Sequence, residues 1–121
     1  MAYQKLDLDQ DPKTALETIR ARSREHPVLV FKRSPICPVS HRAEAQFKKW
    51  LEGLDASVEL SIADVDVIAE KPLARGLTAE LGVTHESPQA LYFAGGELAW
   101  HDSHGALTVD QFDAVLAGKS A

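Results

Sequence analysis

Apolar residues along the chain change their spacing several times, and each change marks an element. Asp11 before Pro12 reads as a helix start, with a capping carboxylate and then proline at the first helical position. Ala15, Leu16 and Ile19 share one face beyond it, which predicts a helix from about Asp11 to Arg24. The run "HPVLVFK" is short, apolar and rich in β-branched residues, as a buried strand is. From Val39 an apolar residue returns every fourth position, at Ala43, Phe47 and Leu51, with Trp50 alongside and Gly53 as a stop, so a second helix is predicted there. Val58 to Val65 alternates apolar and polar residues and makes a second strand, ending in the acidic "DVD". Pro72 opens a third helix with Leu73, Leu77 and Leu81 on one stripe and Gly82 at its end. "QALYF" and "ELAWH" flank a glycine turn and predict a hairpin, with Phe93 and Trp100 in the core or in the wall of a cleft, the core being favoured. Thr108 caps a last helix through Phe112, Val115 and Leu116.

Two βα units followed by a hairpin imply an α/β fold. The expected architecture is a mixed four-stranded sheet, parallel in its first half and flanked by helices, with an extra N-terminal helix. No repeat, linker or low-complexity tract divides the chain, so residues 1–121 are expected to form a single domain. That length can bury a core without disulfide staples. With 45% hydrophobic and 26% charged residues the chain is ordinary for a globular protein, which argues against disorder. A net charge of -5 argues against a general nucleic-acid or membrane-surface binder, so any anion site must be a local basic patch. "MAYQKLDLDQDPK" has neither a basic start nor an apolar segment and reads as no signal peptide, and no apolar run is long enough to span a bilayer. One cysteine can form neither an intramolecular disulfide nor a Cys-rich zinc site. Together these features point to the cytoplasm.

That cysteine, Cys37, lies in "FKRSPICPVSHR", just past a strand end and at the start of the second helix. A helix N-terminus offers free N–H groups and the positive end of the macrodipole, both of which favour a thiolate over a thiol. Pro38 fits as the first helical residue, because its missing N–H would have had no helical partner. Lys32, Arg33 and Arg42 are near in sequence and could add positive charge. The alternative is a small buried hydrophobe at a helix start. The flanking prolines, the cations and the strand-to-helix junction favour the nucleophile. Ser40 stands three residues on, where a Cys-x-x-Cys motif has its resolving thiol. A serine cannot resolve a mixed disulfide, but its hydroxyl could donate a hydrogen bond to the thiolate. It could also be no more than a polar residue of the first turn.

"CPVS" resembles the glutaredoxin-type Cys-Pro-x-Cys site with its second cysteine replaced. "FKRSPICPVS", "HESPQ" and "WHDSH" together resemble the monothiol bacilliredoxins, thioredoxin-like proteins of the bacillithiol system, over about Pro27 to Thr108. The resemblance implies a thioredoxin-like fold, with Cys37 as nucleophile and Pro88 as the cis-proline facing it. It also implies that the Ser87 backbone pairs with an extended substrate strand. Pro35 and Ile36 depart from the polar residues that family members tend to carry there. His101 and His104 belong by resemblance to a "WHxSH" feature and are candidates, with Lys32, Arg33 and Arg42, for anion or thiol binding. With His85 they suggest a metal site, but their spacing matches no standard zinc pattern, and no metal is expected. Asp64 and Asp66 read as solvated acids at a strand end.

The expected activity is removal of bacillithiol from protein mixed disulfides by the Cys37 thiolate, with bacillithiol as thiol substrate and no tightly bound cofactor. Expected partners are bacillithiolated client proteins, bacillithiol itself and a reductase or second redoxin that resolves the adduct, but neither nucleic acid nor membrane. Two other readings remain: an iron–sulfur cluster carrier, disfavoured by proline after the cysteine where cluster-binding relatives have glycine, and a redox-silent protein-binding domain.

Overall fold

The computed structural model describes residues 3–118, so the first two and last three residues of the expected domain lie outside the described residues. Along the chain come β1 (Gln4–Lys5), α1 (Pro12–Ser23), β2 (Val28–Arg33), α2 (Pro38–Glu52), β3 (Ser61–Asp66), α3 (Lys71–Leu81), β4 (Gln89–Ala94), β5 (Glu97–Ser103), a short 3₁₀ turn (His104–Ala106) and α4 (Val109–Leu116). The sheet order is β1-β3-β2-β4-β5. Strand β2 runs parallel to β3 and antiparallel to β4, as the βα units and the hairpin require.

The sequence of β2, with no polar alternation until its end, suits only a strand covered on both faces, and it sits at the centre of the sheet. Val28 and Val30 face α1 and α3, among Leu16, Ile19, Leu73 and Leu77. Leu29 and Phe31 face α2 and α4, in a layer built largely of aromatic rings. There Phe31 stacks on Phe47 with centroids 4.5 Å apart, and Phe112 sits 5.4 Å from Phe47 and 5.1 Å from Trp50. Such pairs add to area burial through their quadrupoles. Phe93 and Trp100 are core residues, as expected.

Local chemistry explains the boundaries. Asp11 caps α1 by accepting from the Thr14 N–H at 3.0 Å, and Thr108 caps α4 by accepting from the Gln111 N–H at 3.3 Å. Gly95 and Gly96 both have positive φ, 63° and 86°, the geometry of the tight hairpin turn that joins β4 and β5.

Among the described residues the sheet has five strands, where the hydrophobic pattern predicts four. The extra strand, β1, is two exposed residues, too short and too polar to leave a periodicity, and the Gln4 and Leu6 N–H groups attach it to the Leu60 and Ile62 carbonyls at 2.9 and 2.8 Å. Strand β3 starts at Ser61 rather than Val58, because the Val58 N–H closes a turn onto the Asp55 carbonyl at 3.0 Å. Strand β5 runs past His101 to Ser103, which pairs with Gln89.

Gly76 of α3 abuts the ring of Pro12, and a Cβ there would lie 2.2 Å from the proline Cγ. Alanine normally gains about 1 kcal/mol over glycine inside a helix, whereas overpacking a close contact costs about 1–3 kcal/mol. The steric term should win at this site. Gly76→Ala is therefore expected to lower the urea midpoint at unchanged m-value, and a raised midpoint would show that the two helices move apart freely.

Candidate active site

Because β4 is antiparallel to β2, with Gln89 opposite Lys32, the segment leaving β2 and the segment entering β4 emerge side by side at one end of the sheet. The first carries Cys37 and the second carries Pro88. Cys37 is half-buried, has extended backbone (φ -101°, ψ 124°) and is the N-cap of α2, yet its side chain makes no capping hydrogen bond. The thiol is therefore not committed to the helix. Pro38 has no N–H, and the His41 N–H donates to the Cys37 carbonyl at 3.0 Å. Val39 and Ser40 supply the remaining N–H groups of the first turn, at the positive end of the macrodipole. Ile36, 78% exposed, and Val39 flank the cysteine with apolar surface open to solvent.

The Ser87–Pro88 peptide is cis. Pro88 is buried, and its carbonyl accepts from the His104 N–H at 3.0 Å, which ties this loop to the corner after β5. Among the described residues, the Ser87 hydroxyl oxygen is buried without a hydrogen-bond partner. Ser40 is fully buried, and its oxygen accepts from the Ser34 N–H at 2.7 Å. This bond fastens the first turn of α2 to the end of β2, and because Ser40 is its acceptor the hydroxyl proton stays available to donate.

The cation cluster suggested by sequence does not assemble. Lys32 is fully buried on the α1/α3 side, the face opposite α2, because side chains alternate along a strand and Val30 shares its face. Its Nζ donates to Gln89 Oε1 at 2.7 Å and meets His85 Nδ1 at 2.8 Å. Arg33 does point towards the α2 side, but its Nε donates to both oxygens of Asp64, at 3.1 and 3.0 Å, and its Nη1 lies 3.7 Å from Asp66. These acids are ion-paired, not merely solvated, and the carboxylate contact raises the Arg33 pKa. Arg42 alone remains exposed with no ion pair among the described residues.

The two histidines separate as well. His101 is exposed and pairs across the strands with Leu91, so it lies on the α1/α3 face, away from the cysteine side. His104, with φ 56°, lines a groove of about 550 Å³ together with Val39, Arg42 and Gln46 of α2 and with Gly105 and Thr108. Among the described residues no group of three or more His, Cys, Asp or Glu side chains is placed to hold a metal. No helix among them is long and apolar enough to cross a membrane.

Sequence reasoning missed the roles of His85, Glu86, Gln89 and Ser103. Gln89 Oε1 also accepts from the Glu86 N–H at 3.3 Å, Gln89 Nε2 donates to the Thr84 carbonyl at 2.9 Å, and the Ser103 hydroxyl donates to the Glu86 carboxylate. The usable signal was Lys32 itself. A lysine inside a strand read as buried on both faces must have polar partners. Burial, then the charge of Arg75, pushes the Lys32 pKa down to about 8, against the opposing pull of Glu86. Burial, then Lys32 and Arg75, lowers the His85 pKa as well.

A lysine whose folded pKa is depressed contributes stability that is complete only above the unfolded value and is lost as pH falls through the folded one. Relative to Lys32→Met, the wild type should gain stability as pH rises from about 8 to 10.5, on the order of 3 kcal/mol. Urea titrations of both proteins across that window check this. A pH-independent difference would mean that the ammonium is solvated.

Comparison with known proteins agrees with this geometry. The family model described as Monothiol bacilliredoxin BrxC matches residues 9–112. A solved structure described only as a candidate oxidoreductase with a thioredoxin fold is 31% identical, with a TM-score of 0.69, covering 93% of this chain and 91% of that one. Two thioredoxins share the fold at low identity. That of Fasciola hepatica has 13% identity and a TM-score of 0.66 over 97% of this chain and 99% of its own. Thioredoxin O2 from Arabidopsis thaliana, in its oxidised state, has 16% identity and a TM-score of 0.66 over 99% of this chain and 96% of its own. The chain therefore belongs to the monothiol bacilliredoxin family, a redox protein of thioredoxin fold whose one thiol, Cys37, stands at the start of α2.

Proposed function

We propose that this protein is a thiol–disulfide oxidoreductase that removes bacillithiol from mixed disulfides on client proteins. The observation that carries the reading is the state of Cys37, a helix N-cap whose thiol is not used for capping, beside the cis-Pro88 loop and with serine in the resolving position. In the proposed step the Cys37 thiolate attacks the bacillithiol sulfur, a new S–S bond forms to Cys37, and the client sulfur leaves as thiolate. One disulfide is exchanged for another, so no external oxidant or reductant is consumed. Ser40 cannot complete the cycle. Free bacillithiol, a reductase or a second redoxin must attack the adduct, returning Cys37 as thiolate and carrying the disulfide away. The chemistry calls for no tightly bound cofactor.

Bacillithiol carries carboxylates, and the groove beside Val39 offers Arg42 as a solvent-facing cation, with His104 across from it. Of the anion-binding candidates, these two keep that role in our reading, because Lys32 and Arg33 are engaged with internal partners. The exposed Ile36 and Val39 give a client protein apolar contact at the cysteine. The cytoplasm, where a lone thiol is kept reduced, is the compartment in which this reaction has substrates.

Mixed with a bacillithiolated protein and no other thiol, the reduced wild type is expected to stop after one turnover as a one-to-one adduct on Cys37, and Cys37→Ser should form none. Intact-mass analysis reads both results, and repeated turnover without added thiol would contradict the monothiol mechanism. Arg42→Glu should raise KM for bacillithiolated substrates about tenfold with little change in kcat, the loss expected for one charge-assisted contact that is equal in ground and transition states. An unchanged KM would remove Arg42 from the thiol site.

A further inference from the structure

We infer that Lys32 and His85 are positioning residues, holding the Thr84–Pro88 loop in the shape that receives the backbone of a client protein. This rests on the reaction proposed above and concerns residues that do not touch the reacting sulfurs.

The loop is tied at nearly every residue. Gln89 Oε1 accepts from Lys32 Nζ at 2.7 Å and from the Glu86 N–H at 3.3 Å, while Gln89 Nε2 holds the Thr84 carbonyl at 2.9 Å. His85 Nδ1 rests on the same ammonium at 2.8 Å. On the far side the Ser103 hydroxyl donates to Glu86, and the His104 N–H holds the Pro88 carbonyl at 3.0 Å. Ser87 is the exception: among the described residues, none of the backbone–backbone hydrogen bonds outside the helices and strands involves its N–H or carbonyl. A loop fixed on both sides of an unspent peptide edge is suited to bind an extended chain through that edge.

A buried charge is costly even when its partners satisfy it, so stability is a weak reason to keep a lysine there. The ammonium also dictates the state of its neighbour. To accept from Lys32, His85 must present the Nδ1 lone pair, so the ring is neutral and carries its proton on Nε2. Protonation of Nδ1 would set an N–H against the ammonium and break the contact. The other charges acting on the pair are Arg75 of α3, which disfavours that protonation, and Glu86 of the loop, which favours it. Loop support should therefore fail only below the ordinary histidine range of about 6.5.

The test compares Lys32→Met and His85→Asn with wild type. Asparagine places Oδ1 where the histidine has Nδ1 and does not titrate. Each protein is given a bacillithiolated protein client and, separately, oxidised bacillithiol, which has no peptide backbone to dock. Lys32→Met is expected to raise KM for the client about tenfold, the cost of one charge-assisted hydrogen bond, and to leave the rate with oxidised bacillithiol within about twofold. Wild type should show a rise in client KM below about pH 6.5, and His85→Asn should lack it. Equal effects on both substrates, or the same acid limb in His85→Asn, would overturn the inference. Amide exchange gives a readout that needs no turnover. In Lys32→Met the Glu86 and His104 amides should exchange about tenfold faster while those of Val30 and Leu91 are unchanged, and unaltered protection at Glu86 and His104 also overturns it. If Lys32→Met does not fold, His85→Asn decides. Wild type that transfers bacillithiol from neither substrate would refute the proposed function, and amide exchange would then judge the positioning role alone.

Discussion

Strand β2 is packed on both faces, so whatever polar residues it carries must find partners inside the protein. Two cations meet this constraint at its C-terminal end, one on each face. Arg33 is satisfied by Asp64 and Asp66 of β3, while Lys32 takes Gln89 of β4 and His85 of the loop before it. Both are thereby removed from the solvent side of the cysteine. Of the three cations near Cys37 in sequence, Arg42, one turn into α2, is the one left facing solvent. The same constraint makes a buried lysine the support of the loop that ends in Pro88.

The placement of Cys37 follows from the strand as well. Leaving the centre of the sheet, the chain turns at once into α2, whose first turn is fastened to the end of β2 by the Ser34–Ser40 hydrogen bond. Ser40 thus has a structural use that a cysteine would serve poorly, since sulfur is a weak acceptor for a backbone N–H. In the mechanism we propose, serine at this position both closes the internal route to a disulfide and ties down the segment that carries Cys37.

Most of the architecture was legible because it rests on periodicity. The α2 stripe of Ala43 and Phe47, the β-branched run of β2 and the Asp11 and Thr108 caps are local signals that tertiary packing reinforces. Strand β1 escaped because two exposed residues carry no pattern and pair only through backbone atoms. At the site, Cys37 and Pro88 were found through motifs. What lay beyond the sequence was the face on which each neighbour points. Lys32 and Arg33 are adjacent in sequence and therefore opposite in a strand, and His101 and His104 part where β5 ends and the chain turns. Proximity in sequence suggested a cluster that strand alternation forbids.

The most direct test of the central claim is the mass of the protein recovered intact, under non-reducing conditions, from cells that make bacillithiol. A share of the chains should carry one bacillithiol on Cys37, released by a reductant. Protein that carries no small thiol on Cys37 after oxidative stress, or that is recovered with a bound iron–sulfur cluster, would contradict the assignment of Cys37 as the acceptor of bacillithiol.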